Sequence, residues 1–396
     1  MKKILSVFLI LCLISIVPLS IFASDDENEE NIYSELTGIE DSDIKAKSAV
    51  LMDAKTGTLL YAKNPNVARF PASVTKIMTL LLVAEALAEG KITLEQKVFV
   101  SANAASMGGS QVFLKEGEEF TVEELLKCTV IASANDAAVA LAELIGGSES
   151  TFVRMMNDRA RELGMQNTEF ENTTGLDDDL TKHLTSAYDI AIMSRELIKH
   201  ECITKYSNVW QDSIRDGEFV LTNTNRLVRY YPGCTGLKTG STDKAGYCIS
   251  ATAERDGMHL IAVIMGSETR DERNAAARSL LDFGFANYSL YTELETLLED
   301  IPVLKGNVGS TSAYSSEISF LISKAEIKKI EKKYNIPDTI TAPIKNGDII
   351  GSVVYFIDGK EIGKADIYIK EDIDKLSVLE IFLKMLEKIL VGGNFC

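Results

Sequence analysis

Three short groups of residues in this chain set a hydroxyl beside an amine or an amide: Ser73-Val74-Thr75-Lys76, Ser133-Ala134-Asn135 and Lys238-Thr239-Gly240. A serine attacks a carbonyl at neutral pH only when a base takes its proton. Lysine serves as that base when neutral, a state favoured by desolvation or by a second cation nearby. Ser73 and Lys76 are three apart, the spacing that puts two side chains on one face of a helix. They open residues 71–90, which read as a helix starting at or just after Pro71, with good helix formers in the middle and Gly90 suited to the C-terminal cap. Free backbone N–H groups and the positive end of the helix dipole fall beside the pair. The chemistry on offer is attack by a lysine-activated serine.

Each group singly is weak. A Ser-x-x-Lys spacing arises by chance roughly once or twice in a chain of this size. Ser42/Lys45 and Ser241/Lys244 repeat it, Ser101-Ala102-Asn103 repeats the second group, and Lys55-Thr56-Gly57 the third. Context separates them. The repeats fall in an acidic leader, Gly-rich turns and loops; the first set falls on a helix start, a break between helices and the end of a strand.

The elements that would carry the set follow from pattern. Residues 49–52 and 59–62 are short apolar runs about a Gly turn, a β-hairpin. Thr121 and Glu124 form a capping box for a helix whose apolar run ends at Ser133. Helices are expected over 137–145, 151–163, 186–198 and 273–283. Residues 235–240, 246–253 and 260–265 read as an antiparallel meander. With strands at both ends and helices between, the fold class is α+β: one antiparallel sheet flanked by helices. Residues 288–369 change to short apolar runs and Gly turns, a small β-rich domain. Residues 376–391 form an amphipathic helix with a broad apolar face, suited to lying in a membrane interface and too short to span one.

The chain resembles the serine-type D-alanyl-D-alanine carboxypeptidases, the low-molecular-mass penicillin-binding proteins. The three groups carry the resemblance, with Asp53-Ala54-Lys55-Thr56-Gly57, Asp136-Ala137, His183-Leu184-Thr185-Ser186-Ala187-Tyr188-Asp189, Gly236-Leu237, Ser241-Thr242 and Ala245-Gly246-Tyr247-Cys248. It runs from about residue 49 through the C-terminal region and implies a β-lactamase/transpeptidase-like fold. It implies that Ser73 is the nucleophile, Lys76 its base and Ser133 a relay of protons toward the leaving amine. Asn135 would hold the substrate amide, Lys238 would help keep Lys76 neutral, and Thr239 with Arg273 would bind the substrate's terminal carboxylate. Gly240 and Ser241 complete the substrate-binding strand, with the backbone N–H groups of Ser73 and Ser241 as the oxyanion hole. The substrates implied are peptidoglycan stem peptides ending in D-Ala-D-Ala, and β-lactams are the implied inhibitors. Thr173-Thr174 stand where many members have Pro-His, a departure outside the three groups that is expected to leave the chemistry untouched.

Two other readings compete. A class A-like β-lactamase needs a Glu-x-x-Leu-Asn stretch after the Ser-x-Asn group, and none occurs between Asn135 and Lys238. A non-catalytic cell-wall binding protein on the same scaffold has no need of six intact site residues.

Lys2 and Lys3 precede an apolar run to Phe22, and Ala23 offers a small residue for cleavage, so residues 1–23 read as a signal peptide. Residues 25–43 hold nine carboxylates and no Lys or Arg, a disordered leader within residues 24–45. The domain division expected beyond it is 46–286 for the peptidase, 287–371 for the β-rich domain and 372–396 for the membrane helix. That layout implies export to the outer face of the cytoplasmic membrane. A net charge of −17 argues against a nucleic-acid partner. Six cysteines with no Cys-x-x-Cys spacing make no disulfide framework, and pairing of Cys234 with Cys248 stays open. The histidines, 183, 200 and 259, lack ligand spacing. No metal or cofactor is expected.

Overall fold

The computed structural model describes residues 43–177 and 180–391. The expected signal peptide and nearly all of the acidic leader lie outside the described residues, as do Asp178 and Asp179.

A five-stranded antiparallel sheet forms the first region, in the order Leu59–Lys63, Ser48–Asp53, Met258–Ser267, Gly246–Arg255, Cys234–Thr242. Alternate residues of a strand face opposite sides, and here both sides are covered. Val50 and Met52 join a core built with the central helices, while Ala49 and Leu51 join one built with Leu280 and Leu281 of the Arg270–Asn287 helix. The Ser48–Asp53 strand is consequently buried along its whole length. Each leucine-sized side chain so buried contributes roughly 1.5–3 kcal/mol.

The Cys234–Thr242 strand is at the sheet's edge, and the turn carrying Ser73 packs against it at Gly240. Helix Val122–Ile131 begins at the expected capping box, with Thr121 and Glu124 each satisfying the other's backbone N–H. Helix Asn135–Gly146 starts two residues earlier than expected and ends at Gly147, whose φ of +70° is the left-handed cap that glycine adopts without strain.

The helix expected from Pro71 is two pieces. Ala72–Thr75 is a 3₁₀ turn, and the α-helix runs Lys76–Ala88. Ala72 at φ +49° cannot continue an α-helix, so the serine stands on the turn and the lysine opens the helix.

The second region is a six-stranded sheet, in the order Glu331–Asn335, Ile349–Ile357, Lys360–Ile369, Ser310–Ser315, Thr296–Leu304, Ile340–Thr341, with a two-stranded pair Tyr288–Glu293 and Ile318–Ser323. Its core gathers Phe320, Val353, Tyr355, Ile367 and Ile369. A terminal helix runs Val378–Val391. Cys234 pairs with Ala253 and Cys248 with Gly240, so these two cysteines are not opposite each other, and both are free.

Candidate active site

Ser73 is on a turn that its neighbours hold rigidly. Glu171 donates its backbone N–H to His183 Nδ1 at 3.0 Å. Burial holds His183 neutral, with its pKa lowered to about 4. The single imidazole proton is therefore on Nε2, which donates to Thr75 Oγ1 at 2.7 Å. Thr75 in turn donates to the Ala72 carbonyl at 2.9 Å. Gly175 presses on the same carbonyl: a Cβ there would lie 1.8 Å from it, and φ is +83°. Only glycine fits this position.

Lys76 is fully buried, and its Nζ has three neighbours. Ser73 Oγ is at 3.1 Å, Asn135 Oδ1 at 2.5 Å and the Thr174 carbonyl at 2.9 Å. Its pKa is lowered well below that of an ordinary lysine, first by burial and then by Lys238, with Asp136 opposing. Asp136 is itself buried and accepts from the amides of Val112, Leu114 and Ala137.

Ser133 occupies the break between helices at φ +62°, a conformation that costs a non-glycine residue about 1–3 kcal/mol. The flanking amides hold it there: Ala134 N–H donates to the Cys128 carbonyl at 3.1 Å and Asn135 N–H to the Ser110 carbonyl at 2.7 Å. Lys238 Nζ reaches across to Ser133 Oγ at 2.7 Å and to the Thr239 carbonyl at 3.0 Å. Burial, then Arg273, lowers the Lys238 pKa to about 7.

The edge strand passes close to the serine turn. A Cβ at Gly240 would lie 2.7 Å from Ser73 N and 2.9 Å from Val74 N, so glycine alone permits this approach. Ser73, Ser133, Thr239, Gly240, Ser241 and Arg273 all line one cavity of about 640 Å3, with Ser110 opposite. Thr239 Oγ1 bonds Thr224 Oγ1 at 2.8 Å. Arg273 is the fourth residue of its helix and buried, its guanidinium on Asn274 Oδ1 and the Cys248 carbonyl. Burial, then Arg270, lowers its pKa to about 10.

Asn135 Oδ1 faces Lys76, and Nδ2 gives one of its two hydrogens to the Gly108 carbonyl at 2.7 Å, so the side chain is held beside the lysine. Thr173-Thr174, outside the three groups, reaches the lysine helix through its backbone. The Thr174 carbonyl bonds Lys76 and the Thr173 carbonyl accepts from Thr79 Oγ1 at 2.7 Å. Both contacts use backbone oxygens, so the side-chain departure leaves them intact. His183 and Ser110 were also missed as site residues; the first stood in a stretch that already resembled the family.

This geometry has close relatives. A family model described as D-alanyl-D-alanine carboxypeptidase matches residues 35–269, and one described as the C-terminal domain of penicillin-binding protein 5 matches residues 285–375. The chain is 45% identical over 393 residues to D-alanyl-D-alanine carboxypeptidase DacF of Bacillus subtilis, with 97% of each chain covered. The crystal structure of penicillin-binding protein 5 from Haemophilus influenzae is similar with a TM-score of 0.71 at 32% identity, over 85% of this chain and 100% of that one. Penicillin-binding protein D2 of Listeria monocytogenes in its ampicillin-bound form is similar at 30% identity and a TM-score of 0.56, over 61% of this chain and 98% of that one. Likeness over almost the whole length of DacF, and over both regions, leaves one assignment: the chain belongs to the S11 peptidase family of D-alanyl-D-alanine carboxypeptidases.

Proposed function

We propose that this protein is a serine D,D-carboxypeptidase that removes the terminal D-alanine of peptidoglycan stem pentapeptides through an acyl-enzyme on Ser73, and that penicillins acylate the same oxygen. The observation that carries this reading is the set of neighbours around Lys76 Nζ. Asn135 Oδ1 and the Thr174 carbonyl can only accept, so each takes one N–H. A neutral amine has two N–H groups and one lone pair. With both hydrogens engaged, the lone pair is left for the Ser73 hydroxyl at 3.1 Å. Burial and the Lys238 charge favour that neutral state.

The steps follow. Lys76 takes the proton as Ser73 Oγ attacks the penultimate carbonyl. The oxyanion sits on the N–H groups of Ser73 and Ser241, where losing one donor costs about 10²–10³ in rate. The C–N bond breaks as Ser133, held by Lys238, gives its hydroxyl proton to the leaving amine and takes in its place the proton Lys76 removed from Ser73, which returns Lys76 to the neutral amine. Thr239 and Arg273 hold the leaving residue's carboxylate, a bidentate match for a guanidinium. Water then cleaves the ester. The open edge of the Cys234–Thr242 strand offers backbone groups to an extended peptide.

Export rests on the basic, then apolar, then small-residue order of residues 1–23. Attachment to the outer face of the membrane rests on the Val378–Val391 helix, where Val378, Leu379, Phe382 and Leu383 are exposed. No helix among the described residues is long and apolar enough to cross a membrane. The protein is expected to float with lipid vesicles in high salt, and to stop doing so once residues 376–396 are removed. Failure of the full chain to float would remove the anchor. The activity itself is tested by incubating the protein with a pentapeptide ending in D-Ala-D-Ala; one free D-alanine per peptide supports the assignment, and none contradicts it.

A further inference from the structure

The cleft wall beyond Thr239 is more cationic than one substrate carboxylate requires. Arg226, Arg270 and Arg273 all line the 640 Å3 cavity, and no Asp or Glu among the described residues lines it with them. Arg226 and Arg270 stand exposed beside the buried Arg273, and after burial their charges contribute to the lowering of its pKa. Among the described residues, the arginines in ion pairs are Arg159, Arg161, Arg215 and Arg255, none of them in this wall. Asp271 lines an adjoining depression with Arg226 without pairing with it. The rim is built to last: Arg229 stacks on Trp210 and Tyr230, which both line the cavity, at 5.3 and 5.5 Å from the ring centres. Three guanidiniums gathered on one wall of a protein of net charge −17 repel one another until anions join them.

We propose that Arg226 and Arg270 form a second anion subsite beyond the terminal-carboxylate position, so that the enzyme favours a leaving residue with a second carboxylate over plain D-alanine. This rests on the reading of Ser73 as nucleophile and of Thr239 with Arg273 as the seat of the terminal carboxylate. Whatever extends past Arg273 then belongs to the leaving group. A dicarboxylic D-amino acid such as D-glutamate sets its α-carboxylate on Thr239 and Arg273 and its second carboxylate toward Arg226 and Arg270. The bond broken is the same amide, and the residue leaves as its free amine. The substrate class is a peptide whose leaving amine belongs to a dicarboxylic amino acid, whether that residue ends the chain or joins it to another. Because Arg226 and Arg270 are exposed, solvent screens them and the preference is modest and salt-sensitive.

The test compares kcat/KM of the purified protein for three peptides, at low and high salt. One ends in D-Ala-D-Ala, one in D-Ala-D-Glu, and a control ends in D-Ala-D-Ala but carries an added glutamate at its N-terminal end. The D-Glu peptide is expected to be favoured about twofold to fivefold over D-Ala at low salt, the upper part of the range of exposed ion pairs, with less preference at high salt. The control gains nothing. In Arg226→Gln/Arg270→Gln, with folding checked by penicillin labelling of Ser73, the ratio falls to about one. A wild-type ratio of one or less, a ratio kept in the double variant, or an equal gain by the control overturns the subsite. Cleavage of none of the three by the wild-type protein overturns the reaction assignment and the subsite with it; cleavage of D-Ala-D-Ala without preference overturns the subsite alone.

Discussion

The two regions of this molecule bury polar groups on different terms. The first region holds Lys76, Asp136, Lys238 and Arg273 almost wholly out of water. Among the described residues of the second, the buried polar groups are the hydroxyls of Thr311, Ser315 and Ser352. The charged pairs of the second region, such as Lys332–Glu293 and Lys370–Glu295, remain partly in solvent. Taking an ion out of water costs several kcal/mol even after relaxation. The first region takes Asp136 and Arg273 out of water and buries Lys76 as the neutral amine, whereas the second leaves its charged pairs partly in solvent. Burial in the first region has a chemical consequence: it lowers the pKa values of Lys76, the proposed base, and of Lys238, proposed to hold Ser133.

The sharpest way to break this comparison is to keep the charge and remove the base. Arginine cannot deprotonate usefully, so Lys76→Arg is expected to lower acylation by about 10²–10⁴ with the fold retained by circular dichroism. Near-normal acylation would mean that another base exists. Next comes Arg273→Ala, expected to cost free-acid peptides about 2 kcal/mol or more, roughly 30-fold in kcat/KM, and C-terminally amidated peptides far less. Equal losses on both would contradict its role. Lys238→Met removes a positive charge that lowers the Lys76 pKa. The Lys76 pKa then rises, more of it is protonated at any given pH, and the acid limb of the acylation profile moves to higher pH. A limb that stays put, or moves down, would separate the two lysines. The smallest effect on chemistry is expected from the other region. Ile367 is fully buried in its core, and Ile367→Ala should destabilise that region by about 2–5 kcal/mol while acylation at Ser73 stays within twofold.

What could be read from sequence divides along chemical lines. The roles proposed for Ser73, Lys76, Ser133, Lys238 and Thr239 rest on side chains at short, repeated spacings on recognisable elements, so residue type and position pointed to them. Thr174 acts through a backbone carbonyl 98 residues from Lys76, and every residue but none in particular advertises a carbonyl. His183 acts on the serine turn from 108 residues beyond Thr75, a distance that only the fold closes. Asn135 was found, but its contact with Lys76, 59 residues away in sequence, was not. The sheet was legible because both of its faces are apolar and its turns are marked by glycine. The 3₁₀ turn under Ser73 was not, since the left-handed Ala72 is imposed by the Gly175 segment pressing on its carbonyl.

The central claim is that Ser73 is the residue acylated. It is tested most directly by mapping a labelled penicillin on the intact protein and on Ser73→Ala. One covalent adduct on the peptide containing Ser73, absent from the alanine variant, is the predicted result. An adduct on any other residue, or an alanine variant that still labels, would contradict it.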